Sequence, residues 1–116
     1  MKTKKPLVSI IMTVYNGMPY LKDSVNSLLK QTYTNTEIII IDDGSNDESA
    51  LTIKSFKKRF ENIKLYKSVR IGRSKALNLG LKKSKGKYIA INDSDDLSMP
   101  DRIKKQVNFL ENNKDY

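Results

Sequence analysis

The sequence predicts an α/β fold: a parallel sheet of about four strands with helices on both faces. Three observations carry this. Three short apolar runs rich in β-branched residues read as buried strands, and a fourth, weaker run alternates. Segments with helical spacing alternate with them, which demands parallel crossover units. Polar and acidic residues follow the apolar runs, as they do at the ligand-binding edge of an open parallel sheet.

Residues 7–14, Leu-Val-Ser-Ile-Ile-Met-Thr-Val, form the first strand, broken by Tyr15-Asn16-Gly17. Pro19 is expected in the first turn of a helix, followed by Tyr20, Leu21, Val25, Leu28 and Leu29 at helical spacing. Thr32 to Thr36 is a polar connection, and Glu37 to Asp42 is a second buried strand. Turn chemistry at Asp43-Gly44-Ser45-Asn46 leads into a helix over 47–60 carrying Leu51, Ile53, Phe56 and Phe60. A weaker strand over 62–67 alternates Ile63 and Leu65, and residues 74–83 are helical, with Ala76, Leu77, Leu79 and Leu81. Tyr88 to Ile91 is another buried strand and Asn92 to Ser98 an acidic loop. Pro100 is expected to open a last helix with Ile103, Val107, Phe109 and Leu110 on its apolar side. No repeat or linker divides the chain, so residues 1–116 are expected to be one domain. Because the sequence ends just after a helix, at Asn112 to Tyr116, that domain is expected to be incomplete at its C-terminus.

Composition narrows the chemistry. The 116 residues contain no cysteine and no histidine. Thiolate metal sites, cysteine nucleophiles and imidazole-based triads are therefore excluded. Carboxylates, hydroxyls, amides and cations remain. The net charge is +9, with thirteen basic residues and one acid, Glu61, in residues 54–87. That block suits an anionic partner or, more plainly, solvated helix faces. The longest apolar run is far short of the ~20 residues of a membrane-spanning helix. The basic start Met1–Lys5 lacks the pattern of a signal peptide. A cytoplasmic chain, in solution or at the inner face of the membrane, is the default expectation.

If the strands are parallel, their C-terminal ends share one edge. Thr13, Val14, Tyr15 and Asn16 arrive there from the first strand, Asp42 and Asp43 from the second. The third brings the stretch of Arg70 and Arg73, and the fourth brings Asn92, Asp93, Asp95 and Asp96. Three carboxylates in Asp93-Ser94-Asp95-Asp96 repel one another unless a cation neutralises them, and oxygen ligands suit Mg2+ or Mn2+. The plainer reading is an acidic loop capping the last helix. Asp43 suits a hydrogen bond from a nucleobase, or else Asp43, Ser45 or Asn46 caps the helix that follows. Arg70 and Arg73 suit a diphosphate or a base. Neither G-x-G-x-x-G nor G-x-x-x-x-G-K-[ST] is present, so a metal is the expected anchor for phosphates.

Several ordered motifs resemble the family 2 glycosyltransferases of GT-A, Rossmann-like fold. They are residues 8–17, 28–33, 37–47, 72–80, 86–90 and the tetrapeptide Asp93 to Asp96, distributed along nearly all of residues 7–110. The resemblance implies inverting transfer of a sugar from a nucleotide-diphosphate donor, a UDP-sugar. It implies that Thr13 and Tyr15 line the nucleotide pocket and that Asp43 holds the base; Val14, Asn16, Arg70 and Arg73, at the same strand ends, are the further nucleotide-binding candidates, although the family often has Asn where this chain has Arg70. It makes Asp93 and Asp95 a D-x-D motif, with Asp95 on the Mn2+ or Mg2+ and Asp93 facing the ribose or the metal shell. The acceptor would be a glycan or lipid-linked glycan, as in polysaccharide biosynthesis. The catalytic base would lie beyond residue 116, and the isolated fragment would be inactive or incomplete. An exposed sheet edge would favour self-association. Nucleic acid is not an expected partner; the competing reading is a non-catalytic basic nucleotide- or nucleic-acid-binding module built on residues 54–87.

Overall fold

The computed structural model describes residues 5–113, so Met1 to Lys4 and Lys114 to Tyr116 of the terminal stretches noted above lie outside the described residues. Four strands and four helices alternate: β1 Val8–Val14, α1 Leu21–Leu29, β2 Thr36–Asp43, α2 Ser49–Arg59, β3 Ile63–Ser68, α3 Arg73–Lys83, β4 Tyr88–Ile91 and α4 Arg102–Asn112. The sheet is parallel throughout, in the order β3-β2-β1-β4. The chain steps outward from β1 to β3, then returns to the other side of β1. The order therefore switches at β1, the place where open parallel sheets bind ligands.

The side chains of β1 and β2 separate by parity. Val8, Ile10, Met12, Val14, Ile38 and Ile40 pack with Leu21, Val25 and Leu28 of α1, Ile53 and Phe56 of α2, and Ile103 and Val107 of α4. Ile39 and Ile41 face the opposite way, onto Ala76 and Leu79 of α3. Three helices thus cover one face and a single helix the other. Each fully buried branched side chain stabilises the fold by about 1.5–3 kcal/mol. Helix α3 comes close because residue 80 is glycine: a Cβ there would lie 2.6 Å from Ile11 Cγ2.

One buried carboxylate ties the N-terminal edge of the sheet together. Glu37 accepts from Ser9 Oγ at 2.6 Å, from the Lys85 backbone N–H at 2.7 Å and from Lys64 Nζ at 3.3 Å. Burial pushes its carboxyl up, but these donors outweigh that and hold it below the ordinary range. The connection from α3 to β4 is thereby fixed beneath β1.

Four expectations need correcting. Pro19 and Pro100 do not sit inside helices: α1 begins at Leu21 and α4 at Arg102, each two residues after its proline. Residues 18–20 form a turn that leads into α1, with Leu21 N–H donating to Gly17 C=O at 3.0 Å. Strand β4 is not buried on both faces. Ile89 and Ile91 are 41% and 45% exposed, because β4 is an edge strand and α3 lies over β1 and β2. Phe109 is 52% exposed and Leu51 67%, so neither belongs to the apolar side of its helix. Tyr20, at 63%, stands outside the core as well.

Candidate functional site

At the C-terminal edge of the sheet, a crevice of about 400 Å3 opens above β1. Thr13, Val14, Tyr15, Asn16, Asp43, Arg70, Arg73, Asp93 and Asp95 all line it. Residues from four separate loops are brought to one place. Met18 and Tyr20, which no motif singles out as site residues, complete one wall.

The loop after β1 is fastened to the loop after β2. Asn16 takes a left-handed backbone, φ 51°, and its N–H donates to Ser45 Oγ at 2.9 Å. The Asn46 N–H returns a bond to Asn16 Oδ1 at 2.9 Å. Gly17 N–H donates to Ser49 Oγ, and Met18 N–H to Asp47 Oδ2. Asp47 also accepts from the Ser49 N–H at 2.9 Å, so it is the residue that closes the start of α2, in place of Asp43, Ser45 or Asn46. Burial raises the Asp47 carboxyl, and the bonds from Ser49 and Met18 overcome this and lower it. Tyr15 is left half-exposed at the lip.

Asp42 and Asp43 end β2 and do different work. Asp42 turns back to accept from the Ser45 N–H at 3.0 Å. Asp43, with only 2% of its side chain exposed, faces the loop between β3 and α3. Its Oδ1 accepts from Ile71 N–H at 2.7 Å, and its Oδ2 from Gly72 N–H at 3.1 Å and Arg70 Nη1 at 2.6 Å. The approach is so close that a Cβ on Gly44, whose φ is +78°, would meet the Arg70 backbone nitrogen at 2.8 Å. The Arg70 guanidinium sits over the Tyr15 ring, 3.7 Å from its centre. One end of the crevice therefore holds a stack of cation on aromatic beside a buried carboxylate.

The other end is acidic. Carboxylate oxygens of Asp93, Asp95 and Asp96 lie within 4.8 Å of one another. Arg73 Nη2 donates to Asp93 Oδ1 at 2.8 Å and offsets part of that charge. Asp93 and Asp95 line the crevice; Asp96 lines a separate hollow with Arg102. Three hard oxygen donors at this spacing, with no nitrogen or sulfur ligand, match the preference of Mg2+ or Mn2+.

A network that no motif marks holds the acidic loop in place. Ser24 Oγ donates to the carbonyls of Asp93 and Asp96, and Asn92 Nδ2 to the same two. Ser98 Oγ and Arg102 Nη1 donate to Asn92 Oδ1 at 2.6 and 3.1 Å, and Arg102 Nη2 caps the Ile91 carbonyl. Gln31 reaches across from the end of α1 to Met99 C=O and the Ile103 N–H. The only sequence signal for this scaffold is its composition: small polar residues and amides on faces that would otherwise be apolar.

Comparison with known proteins gives a consistent picture. The family model described as "Glycosyl transferase family 2" matches residues 9–116. An uncharacterized glycosyltransferase of Haemophilus influenzae is 43% identical over 106 residues, covering 90% of this chain and 42% of the relative. One from Methanocaldococcus jannaschii is 39% identical over 114 residues, covering 96% and 39%. The chain thus spans less than half the length of these relatives. Among solved structures, Staphylococcus aureus TarS residues 1–349 in complex with UDP superposes with a TM-score of 0.83 at 28% identity, over 90% of this chain and 32% of that one. The mannosyltransferase PcManGT of Pyrobaculum calidifontis, in complex with GDP-Man and Mn2+, gives 0.75 at 25%, over 82% and 29%.

Proposed function

The chain belongs to glycosyl transferase family 2, and from that premise we propose that its crevice binds a nucleotide-diphosphate sugar, a UDP-sugar, for inverting transfer. The observation that carries this reading is the pairing, in one cavity of about 400 Å3, of an aromatic–carboxylate end with an acidic, oxygen-only end. That volume lies within the ~300–1,000 Å3 of small-molecule sites. A nucleotide diphosphate has the matching halves: a flat base that hydrogen-bonds, and phosphates that need a cation.

Tyr15 offers its ring face to the base. Asp43 accepts from the base's ring N–H: a carboxylate has roughly four acceptor positions, and three are taken here. Thr13, Val14 and Asn16 wall the ribose side. Asp95, with Asp93 beside it as the D-x-D pair, would hold Mn2+ or Mg2+, for which the carboxylate cluster is a fitting donor set. Bound there, the ion offsets the charge that develops on the leaving diphosphate. Arg73 keeps Asp93 oriented and adds positive charge next to the phosphates.

Residues 1–116 serve, in this reading, as the donor-binding domain of a larger transferase. The acid that deprotonates the acceptor hydroxyl, and the site for a glycan or lipid-linked glycan acceptor, belong to other parts of it. TarS in complex with UDP and with UDP-GlcNAc supports a uridine donor, and PcManGT with Mn2+ supports the metal. A thermal-shift panel of UDP, GDP, CDP and ADP with Mn2+ tests the assignment. UDP is expected to raise the melting temperature most. Preference for a purine nucleotide, or no response to any diphosphate, would overturn it.

A further inference from the structure

The two ends of the sheet carry opposite charge. Asp42, Asp43, Asp93 and Asp95 gather at the C-terminal edge. At the N-terminal edge, α2 ends in Lys57, Lys58 and Arg59, and α3 ends in Lys82 and Lys83, followed by Lys85 in the connection to β4. These six are exposed, and among the described residues none has an ion-pair partner. The nearby Lys64 and Lys87 are already paired, with Glu37 and Glu111. Helices α2 and α3 lie on opposite faces of the sheet, so their cationic ends flank the starts of β2 and β3 from both sides.

Helix dipoles do not account for so much charge. Each helix C-terminus is equivalent to about half a negative charge. Two termini are balanced by about one cation, and six stand there, with exposed Glu61 the one acid in residues 54–87. The chemistry also narrows the partner. Five of the six are lysines, compact hydrated point charges without the fork that grips single phosphates. The aromatic rings nearby, Phe60 and Tyr66, are only partly exposed, and each has a cation beside it, Arg59 at 5.3 Å and Lys83 at 5.0 Å from the ring centre. Neither is the open platform on which single-stranded bases stack.

We propose that this N-terminal edge of the sheet docks on an anionic phospholipid surface, with the strands upright and the crevice facing solution. Diffuse lysine charge is what a sheet of anionic headgroups attracts. The geometry leaves the crevice open at the opposite edge. The surface is defined by its charge and is independent of whether the crevice takes a nucleotide.

The test is co-sedimentation, without nucleotide, with vesicles of phosphatidylcholine alone or with about one third phosphatidylglycerol, at low and physiological salt. The chain is expected to pellet only with the anionic vesicles, less so at higher salt. A variant with Lys57→Gln, Lys58→Gln, Lys82→Gln and Lys83→Gln is expected to lose binding at least tenfold. A variant with Lys22→Gln, Lys54→Gln, Lys67→Gln and Lys75→Gln removes the same charge elsewhere and is expected to lose less than threefold. All eight positions are exposed or at the surface, and matching thermal melts check that both variants fold. No partition of the wild type, equal losses in the two variants, or tighter binding to a single-stranded oligonucleotide at the same salt would each overturn the proposal.

Discussion

Arg70 rests its guanidinium on the ring of Tyr15, 3.7 Å from the ring centre, at the mouth of the crevice. The same guanidinium holds Asp43 at 2.6 Å. In the donor-binding reading, a base and this guanidinium meet at one aromatic ring and one carboxylate.

Tyr15→Ala is therefore expected to weaken UDP binding by roughly tenfold or more, since stacking a base on an aromatic ring is worth about 1–3 kcal/mol. Arg70→Ala is expected to lower the melting temperature, because it leaves the buried Asp43 carboxylate with two backbone N–H donors and no counter-charge. Calorimetric titration and a thermal melt check the two effects. Wild-type affinity in Tyr15→Ala would remove the ring from the site.

Gly80→Ala separates packing from helix propensity. In an exposed helix, the change to alanine stabilises by up to about 1 kcal/mol. Here the new methyl meets Ile11 Cγ2 at 2.6 Å in the interface between α3 and the sheet. A loss of about 1–3 kcal/mol is expected, as for overpacked cores. Urea denaturation reads the sign directly, and a gain would mean that α3 shifts freely on the sheet.

The pH dependence follows from Glu37, whose folded carboxyl is held below its ordinary value. Unfolding releases it to take up a proton more readily, so its stabilisation is full above the ordinary glutamate value of about 4.3 and is lost as pH falls towards the folded value. Asp47 shifts in the same direction and adds to the loss. Glu37→Gln is expected to be less stable at pH 7 and to show a shallower decline in acid. Parallel stability curves for the two proteins between pH 7 and 3 would contradict this.

The two sheet edges are unequally guarded. Lys64 and Lys67 lie in β3, and charged edges resist strand pairing, whereas β4 reads Tyr-Ile-Ala-Ile. Concentration-dependent self-association through β4 is expected in sedimentation velocity, and Ile89→Lys with Ile91→Lys is expected to reduce it. A wild-type chain that stays monomeric at high concentration would count against it.

Much of the fold is legible because its signals are local. Runs such as Ile38 to Ile41 are strands buried on both faces, and the helices between them make the sheet parallel. The candidate site residues are legible because a parallel sheet delivers every strand's end to one edge. What the sequence hides is set by strand order and by unpatterned polar contacts. Ile89 and Ile91 look as buried as Ile38, but β4 falls at an edge that α3 does not cover. Asp43 looks like a free acceptor, yet the backbone of Ile71 and Gly72 takes two of its acceptor positions. Asn92, Ser98, Arg102 and Gln31 hold the acidic loop through spacings of 4 to 72 residues that no periodicity marks.

The most direct test of the donor-site assignment is a calorimetric titration of UDP into the chain, with and without Mn2+, beside Asp95→Ala. UDP binding is expected to strengthen markedly with Mn2+ in the wild type and to lose that metal dependence in Asp95→Ala, with the variant's melting temperature unchanged. UDP binding that is indifferent to Mn2+, or equal in the two proteins, would contradict a metal-held diphosphate at Asp93 and Asp95.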